Sequence, residues 1–261
     1  MLFRSPLKNL IGHTISERAQ PCFAALLARM QPVLASLPKK VPLEIYLQCP
    51  DDATREALLH AWQSCWAALG MRNASVSLWP SKQGLMLVDQ WLDQCKAADL
   101  KKFVLVVAIQ LHAAPIPNTA EVAVALLLGW PPLVAHYRLK TSARLHRPVA
   151  MRPAHRANDL ATMLRWGAVT ADDIHDMWQA QLEEADKSAM LQCAGEAKLN
   201  LSANGPYSGV HDIHLALGDP GAAASWFAAA LACEHAAHTG NAQWLACHEG
   251  HVHMAVARPA A

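Results

Sequence analysis

The sequence lacks any marked excess of charge of either sign. Its 261 residues carry 22 lysines and arginines against 21 aspartates and glutamates, which gives a formal net charge of +1. Proteins that bind nucleic acid or an anionic membrane concentrate basic residues on one surface, and we therefore expect neither partner. The chain is 53% hydrophobic, which is enough for a large globular core.

Long apolar runs are also absent. The longest candidate, EVAVALLLGWPP (121–132), is ended by two prolines, and no run reaches the roughly 18 residues that a membrane span requires. The apolar residues of segment 1–21 are too interrupted for the hydrophobic region of a signal peptide. We predict that this segment is an N-terminal arm, which either wraps a partner or is disordered.

The cysteines show no pairing pattern. They are odd in number and never form a Cys-x-x-Cys motif: Cys22, Cys49, Cys65, Cys95, Cys193, Cys233 and Cys247. Most lie within apolar segments, which is typical of reduced, buried thiols and not of a disulfide framework. The sequence therefore predicts a cytoplasmic protein.

What the sequence does contain is an alternation of strand-like and helix-like segments from residue 22, which predicts an α/β layered architecture. The clearest helix is 51–70, with Asp51 at its start and Gly70 at its end. The other predicted helices are 22–36, 82–98, 157–185 (two helices meeting near Gly167) and 220–238. The predicted strands are 41–49, 74–79, 103–109, 120–128, about 189–193, 210–217, 242–248 and 251–258, with an extended excursion at 133–150.

The order of these segments recurs along the chain. A strand, a corner, a helix, a strand, a turn and a strand follow one another from 74 to 128, and again from 210 to 258. This internal repeat predicts a duplicated α/β unit. We divide the chain into the arm (1–21), a first half (22–150) and a second half (151–261), which together form one compact unit.

Three segments carry a resemblance to a known family. LALGDPGAAASWFAAALACEHA (215–236) resembles the glycine- and alanine-rich corner and following helix of β-ketoacyl synthases. FVLVVAIQ with NTAEVAVALLLG (103–129) resembles a strand pair of that family, and QWLACHEGHVHMAVARP (243–259) resembles its last hairpin. The resemblance implies a thiolase-like fold of reduced size, with two βαβαβαββ halves in an α-β-α-β-α layered arrangement.

The same resemblance implies that the catalytic positions have been lost. The family's nucleophilic cysteine lies where its first corner opens a helix, but this corner reads Trp79-Pro80-Ser81-Lys82. The corner that would supply a histidine carries Asp219-Pro220, and the loop 186–209 offers no counterpart of the remaining histidine. Ser81 is better explained as a helix cap than as a nucleophile, because its hydroxyl would need an adjacent base. We expect a protein that is not an enzyme and that has no catalytic residues and no cofactor.

Histidines cluster near the C-terminus. CHEGHVH (247–253) contains His248, His251 and His253, and His211 and His214 lie on another predicted strand. Imidazoles are good zinc ligands, and alternate residues share one face of a strand. A tight turn at 249–250 would separate these side chains, so we favour solvent-facing histidines on edge strands and predict no metal site.

Two features are candidates for partner binding. Trp79 and Trp130 lie at strand ends, where exposed aromatic rings could anchor an interface, whereas most other tryptophans fall at helical spacing and are predicted to be core. The segment 142–156 is rich in basic residues: Arg144, Arg147, Arg152 and Arg156. It is either a docking strip for an acidic partner or a solvated linker.

These expectations leave three hypotheses. The overall organisation, with segments such as VPLEIYLQCPDD (41–52), resembles degenerate thiolase-like proteins that accompany toxic effectors of bacterial type VI secretion systems. That resemblance implies an adaptor or chaperone whose partners are the effector and the secretion spike. The alternatives are a chain-length-factor-like subunit that pairs with an active ketosynthase, and a residual enzyme that uses Ser81 or a metal at the histidines.

Overall fold

The computed structural model describes residues 14–80, 83–94, 100–114, 116–201 and 209–260. The helices are α1 (Ile15–Ser36), α2 (Asp52–Ala68), α3 (Met86–Gln94), α4 (Pro131–His136), α5 (Arg156–Gly167), α6 (Glu184–Glu196), α7 (Ile213–Leu217) and α8 (Ala224–Thr239). The strands are β1 (Leu43–Gln48), β2 (Ser75–Trp79), β3 (Phe103–Gln110), β4 (Val122–Gly129), β5 (Ala143–Leu145), β6 (Val149–Ala150), β7 (Ile174–Ala180), β8 (Val210–Asp212), β9 (Ala242–His248) and β10 (Val252–Pro259). None of the described helices has the length and apolar character needed to cross a membrane.

The chain forms two compact units, and neither is one continuous stretch. Among the described residues, the first unit contains 14–80, 100–114, 116–139 and 221–223, and the second contains 83–94, 140–201, 209–220 and 224–260. Helix α3 therefore belongs to the second unit, although it follows β2 of the first. The halves predicted from the repeat, 22–150 and 151–261, contain no such exchange of segments.

The first unit is built on a four-stranded sheet with the order β2-β1-β3-β4. β1 is parallel to both β2 and β3, and β3 and β4 form an antiparallel hairpin. Strand β3 is buried at every position, as expected for a central strand that is covered on both faces. Trp62 of α2 is fully buried and meets the ring of Phe23 edge-on at 5.2 Å, so α1 and α2 share this core.

The second unit repeats that topology. Its sheet has the order β5-β10-β9-β7-β8, and β6 also pairs with β10. β7 is parallel to β8 and β9, while β9 and β10 are antiparallel. The path β8-β7-β9-β10 thus has the same order and directions as β2-β1-β3-β4, and this confirms the repeat predicted from the sequence.

Two elements of the second unit differ from the prediction. The helix predicted over 170–185 is wrong, because this segment forms one 3-10 turn at Ala171–Asp173 followed by strand β7. Thr170 and Asp173 do form a capping box, but the helix that this box starts ends after one turn. The strand predicted near 189–193 is also wrong: the segment lies inside α6, where Ala189, Met190, Cys193 and Ala194 form the buried side.

Smaller differences concern element ends and the excursion. Helix α1 begins at Ile15, where Thr14 and Glu17 form a capping box, so residues 14–21 are not part of an arm; residues 1–13 lie outside the described part. The predicted strand 210–217 ends at Asp212, whose carboxylate accepts a hydrogen bond from the Leu215 N–H at 2.9 Å and starts α7. The excursion at 133–150 contains α4, β5 and β6 and is therefore only partly extended.

Candidate functional site

The start of helix α3 is occupied by a carboxylate from the same unit. Glu249, in the turn between β9 and β10, accepts hydrogen bonds from the backbone N–H of Gly84 at 3.1 Å and of Leu85 at 2.8 Å. The first backbone N–H groups of a helix have no partner within the helix, and a negative charge is favourable at this end. Glu249 therefore fills the anion position that the helix start creates.

Gly84 is required for this arrangement. A Cβ atom at residue 84 would lie 1.9 Å from Glu249 Oε1 and 2.8 Å from the Cβ of Ser225. Both distances are far below van der Waals contact. The carboxylate can reach the two N–H groups only because residue 84 has no side chain.

The turn that precedes α8 in the sequence belongs to the first unit and is occupied in a similar way. The side-chain carbonyl of Gln110, the last residue of β3, accepts a hydrogen bond from the Ala222 N–H at 3.0 Å. Residues 221–223 form the 3-10 turn that leads into α8. Gly221 has a φ of +51°, and a Cβ atom there would lie 2.3 Å from Gln110 Oε1. Both corners of the repeat are therefore capped by a side chain from the end of a β-hairpin strand.

Of the positions predicted to have lost catalytic groups, Asp219 lies within the described residues. Ser81, Lys82 and Cys95 lie outside the described residues. The Asp219 carboxylate accepts a hydrogen bond from the side-chain amide of Gln181 at 3.0 Å. Asp219 is therefore in polar contact with Gln181, the residue that follows β7.

The described cysteines are poor nucleophiles at neutral pH. Burial raises the pKa of each one: Cys22 (to about 11), Cys49 and Cys233 (each to about 12), and Cys65, Cys193 and Cys247. The reactive form of cysteine is the thiolate. All six described cysteines are free thiols, and four of them are buried, as the sequence predicted: Cys22, Cys49, Cys193 and Cys247.

The histidines of the last hairpin are expected from the sequence to face solvent on edge strands, and the edge-strand part of that expectation is wrong, although His251 is exposed. β9 lies between β10 and β7, and β10 also pairs with β5 and β6. His253 is buried, and its Nδ1 has no hydrogen-bond partner; burial lowers its pKa, an effect that the nearby Glu249 charge opposes. His248 and His251 instead border a pocket of about 150 Å³ that Arg156 and Asp186 also line.

The two tryptophans proposed as anchors are half-buried. The ring of Trp79 packs on Tyr46 with centroids 4.8 Å apart, and Trp130 packs against the core of the first unit at the start of α4. The large apolar side chains that are exposed lie elsewhere and include Leu215 (84% exposed), Leu217 (56%) and Trp166 (39%).

Arg147 is tied to its own unit. Its guanidinium contacts Asp89 at 2.5 Å and Asp93 at 2.6 Å, both on α3, and lies 5.1 Å from the ring centroid of Trp166. Arg147 therefore holds α3 in the second unit.

The other arginines of segment 142–156 differ in their surroundings. Arg152 pairs with the buried Asp159 at 2.5 Å, and this contact is the main reason why the pKa of Asp159 is lowered. Arg144 is exposed on β5. Arg147 and Arg152 therefore already have carboxylate partners, and a docking strip for an acidic partner at 142–156 stays a prediction.

One polar cluster was not predicted. Asp176 on β7, His211 on β8 and His235 on α8 converge in the second unit, with their potential ligand atoms within 4.8 Å of one another. The sequence pattern singles out His211 but predicts a helix at Asp176, which in fact lies on strand β7, so the pattern does not indicate that the two residues are close. Among the described residues, this is the group of three that could hold a metal ion, whereas His248, His251 and His253 do not form one.

Comparisons with known proteins give the fold. Neither protein-family models nor curated protein sequences match the chain. Solved structures do match: a peroxisomal 3-ketoacyl-CoA thiolase of Saccharomyces cerevisiae is similar with a TM-score of 0.60 and 11% identity, over 98% of this chain and 93% of that one. That protein is described as a five-layered structure built from two core domains of identical topology.

Two further solved structures are similar to the chain. AbyA1, a tetronic acid condensing enzyme, aligns with a TM-score of 0.57 and 12% identity over 95% of this chain and 86% of that one. The ishigamide ketosynthase/chain length factor aligns with a TM-score of 0.52 and 13% identity over 86% of this chain and 75% of that one. The chain has the thiolase fold, as the resemblance implied.

Proposed function

We propose that this chain is a non-catalytic thiolase-fold adaptor that binds a toxic effector for delivery by a type VI secretion system. The observation that carries the proposal is the Glu249 carboxylate on the N–H groups of Gly84 and Leu85. Acyl-transfer enzymes direct such N–H groups at the oxygen that becomes negative in the transition state. A carboxylate at this position both occupies the donors and repels that charge.

The corner that precedes α8 supports the same proposal. The Ala222 N–H donates to the side-chain carbonyl of Gln110. The hydrogen-bond donor at this corner is therefore also used by a side chain of the same protein. Burial raises the pKa of each described cysteine, which disfavours the thiolate that a nucleophile requires. A thiolase fold whose corners are filled by its own side chains is suited to binding through its outer surface.

A candidate contact surface lies on α7. Leu215 and Leu217 are 84% and 56% exposed, and the N-terminus of this short helix is fixed by Asp212. Large exposed apolar side chains on a fixed backbone are typical of protein-binding sites. We assign the effector to this surface.

The test is co-expression with the toxin encoded by a neighbouring gene, followed by affinity purification. The expected result is a stoichiometric complex that the double substitution Leu215→Asp and Leu217→Asp weakens at least about tenfold, which corresponds to about 1.4 kcal/mol. Leu191→Asp is the matched control, because Leu191 is also exposed (47%) but lies on α6. Failure to recover any complex would refute the adaptor function, and equal weakening by Leu191→Asp would refute the surface.

The second candidate function is that of a chain-length-factor-like partner of an active ketosynthase. It is favoured by the structural likeness to the ishigamide ketosynthase/chain length factor. This function predicts co-purification with a ketosynthase from the same gene neighbourhood and a change in the product length of that enzyme. The adaptor function predicts neither result.

A further inference from the structure

We propose that Asp176, His211 and His235 form a binding site for one divalent transition-metal ion in the second unit. The Asp176 carboxylate lies 2.9 Å from His211 Nε2 through Oδ1 and 3.3 Å from His235 Nε2 through Oδ2. The three residues come from β7, β8 and α8, so the fold, and not a local motif, brings them together. This proposal is independent of the proposed function.

The spacing of the ligand atoms suits a metal ion. Zinc binds imidazole nitrogen and carboxylate oxygen at about 2.0–2.2 Å in tetrahedral sites, so neighbouring ligand atoms are about 3.3 Å apart. The two distances from Asp176 are already near this value, and all three ligand atoms lie within 4.8 Å of one another. Small rotations of the two imidazole rings complete the triangle of ligands.

The surrounding residues hold the ligands in place. Trp178 stacks on the ring of His211 with centroids 4.3 Å apart and meets His235 edge-on at 5.7 Å. Its own position is fixed because the indole N–H donates to Gln243 Oε1 at 3.0 Å. Such packing around imidazole ligands reduces the entropy lost when a metal binds.

The backbone directs Asp176 toward the histidines. A register shift of the β-bulge type lies between Ile174 and Asp176 in the pairing of β7 with β9, and bulges change the direction of a side chain next to functional sites. The residues Asp176 and Trp178 are two apart on β7 and share one face, and Trp178 pairs with His211 across the strands. The Asp176 carboxylate and the Trp178 ring therefore face the same side of the sheet.

The donor set and its exposure define the class of metal. Two imidazoles and one carboxylate suit Zn²⁺, Co²⁺ or Ni²⁺, whereas Mg²⁺ and Ca²⁺ prefer oxygen ligands alone. The side chain of Asp176 is 11% exposed, but those of His211 and His235 are 28% and 34% exposed. The site is closed beneath the carboxylate and open on the histidine side, where a water molecule or a partner's side chain would supply the fourth ligand.

The experiment measures Zn²⁺ binding to the full-length chain after treatment with a chelator. Calorimetric titration should give one Zn²⁺ per chain with a dissociation constant below about 10 µM, and Co²⁺ should give the visible absorption of a four-coordinate nitrogen and oxygen site without thiolate bands. His211→Ala and His235→Ala should each weaken Zn²⁺ binding at least about 100-fold. Asp176→Asn, which keeps the size of the side chain, should weaken it as well.

Matched controls lie close to the proposed ligands in sequence. His214→Ala and His238→Ala each remove an exposed histidine three residues from a proposed ligand and should bind Zn²⁺ as the parent does, with all variants checked by circular dichroism. Absence of stoichiometric binding to the parent would overturn the proposal and leave a hydrogen-bonded cluster. Binding that survives the double substitution His211→Ala and His235→Ala, or that is lost in His248→Ala with His251→Ala, would also overturn it.

Discussion

The two helix starts of the repeat are filled by different chemical groups, and the difference shows what each corner does. Ahead of α3, the charged Glu249 accepts from two backbone N–H groups. Ahead of α8, the neutral Gln110 accepts from one. Since a hydrogen bond to an ionised group is about twice as strong as a neutral one, the corner of α3 is the more firmly closed. The two halves have the same topology but have not been adapted in the same way.

The glycines of the two corners offer the largest test of this comparison. Gly84→Ala would place a Cβ against both Glu249 and the Cβ of Ser225, and the latter, being next to the backbone, cannot rotate away. For Gly221→Ala the three atoms nearest to the added Cβ all belong to the flexible Gln110 side chain, but the substitution would strain a residue with a φ of +51°. We expect the free energy of unfolding to fall by about 3 kcal/mol for Gly84→Ala and about 2 kcal/mol for Gly221→Ala.

Gly195→Ala is the control for these two substitutions. Gly195 lies in α6, and an added Cβ would have nothing within 4 Å. Alanine in a helix should raise the free energy of unfolding by up to about 1 kcal/mol. Urea denaturation measures all three, and equal stability of Gly84→Ala and Gly195→Ala would show that Glu249 does not occupy the helix start.

The capping side chains give the next largest effect. Glu249→Ala leaves two N–H groups without their acceptor and should cost about 2–3 kcal/mol, whereas Gln110→Ala leaves one and should cost about 1 kcal/mol. Glu249→Gln keeps an acceptor but removes the charge that favours the helix start, so it should lie between the parent and Glu249→Ala. Thermal and urea unfolding measure the loss of stability in each variant. A larger loss for Gln110→Ala than for Glu249→Ala would show that the corner of α3 is not the more firmly closed one.

Arg147 tests whether α3 depends on its second anchor. Arg147→Ala removes contacts with Asp89, Asp93 and Trp166. Because these groups are partly exposed and screened by salt, we expect a loss of about 1–2 kcal/mol at low salt that shrinks as salt is added. Arg144→Ala on the exposed strand β5 is the control and should change stability by less than about 0.5 kcal/mol. Similar losses for the two variants would show that Arg147 does not hold α3.

Much of the fold could be predicted from local pattern. The strand cores of β1, β3 and β9 are apolar runs between turn residues, and the order of elements revealed the repeat that the sheets confirm. The errors fell where the pattern was ambiguous. IHDMWQA (174–180) follows a true capping box but is a strand, because its pairing with β8 and β9 outweighs the local signal.

The sites were much harder to predict than the fold. Glu249 and Gly84 are 165 residues apart in sequence, and nothing in either segment indicates the other. The triad of Asp176, His211 and His235 likewise depends on the pairing of β7 with β8 and on the position of α8. Such long-range juxtapositions follow from topology, and residue spacing along one segment carries no trace of them.

The smallest expected effect concerns pH, because only one of the two corners carries an ionisable group. Gln110 is neutral at every pH, but the turn that holds Glu249 leads into β10, where burial is the main cause that lowers the pKa of His253. An unfolded histidine takes up its proton at its ordinary pKa of about 6.5, while the folded protein takes it up only at lower pH. Unfolding therefore binds a proton in this window, and stability falls as the pH drops from 6.5 through the folded pKa.

The variant His253→Gln should flatten this fall by less than about 1 kcal/mol between pH 7 and pH 5. A residual slope should persist, since burial also lowers the pKa of His146. The pKa values of three carboxyl groups are lowered, and the stability that they contribute is lost only near and below pH 3.8: Asp159, Asp173 and Asp212. This loss does not overlap with the window between pH 7 and pH 5. The control is His238→Gln at the exposed end of α8, which should keep the parent slope. An unchanged slope in His253→Gln would mean that His253 is not kept neutral by burial, and the corner of α3 would then be as insensitive to pH as the corner of α8.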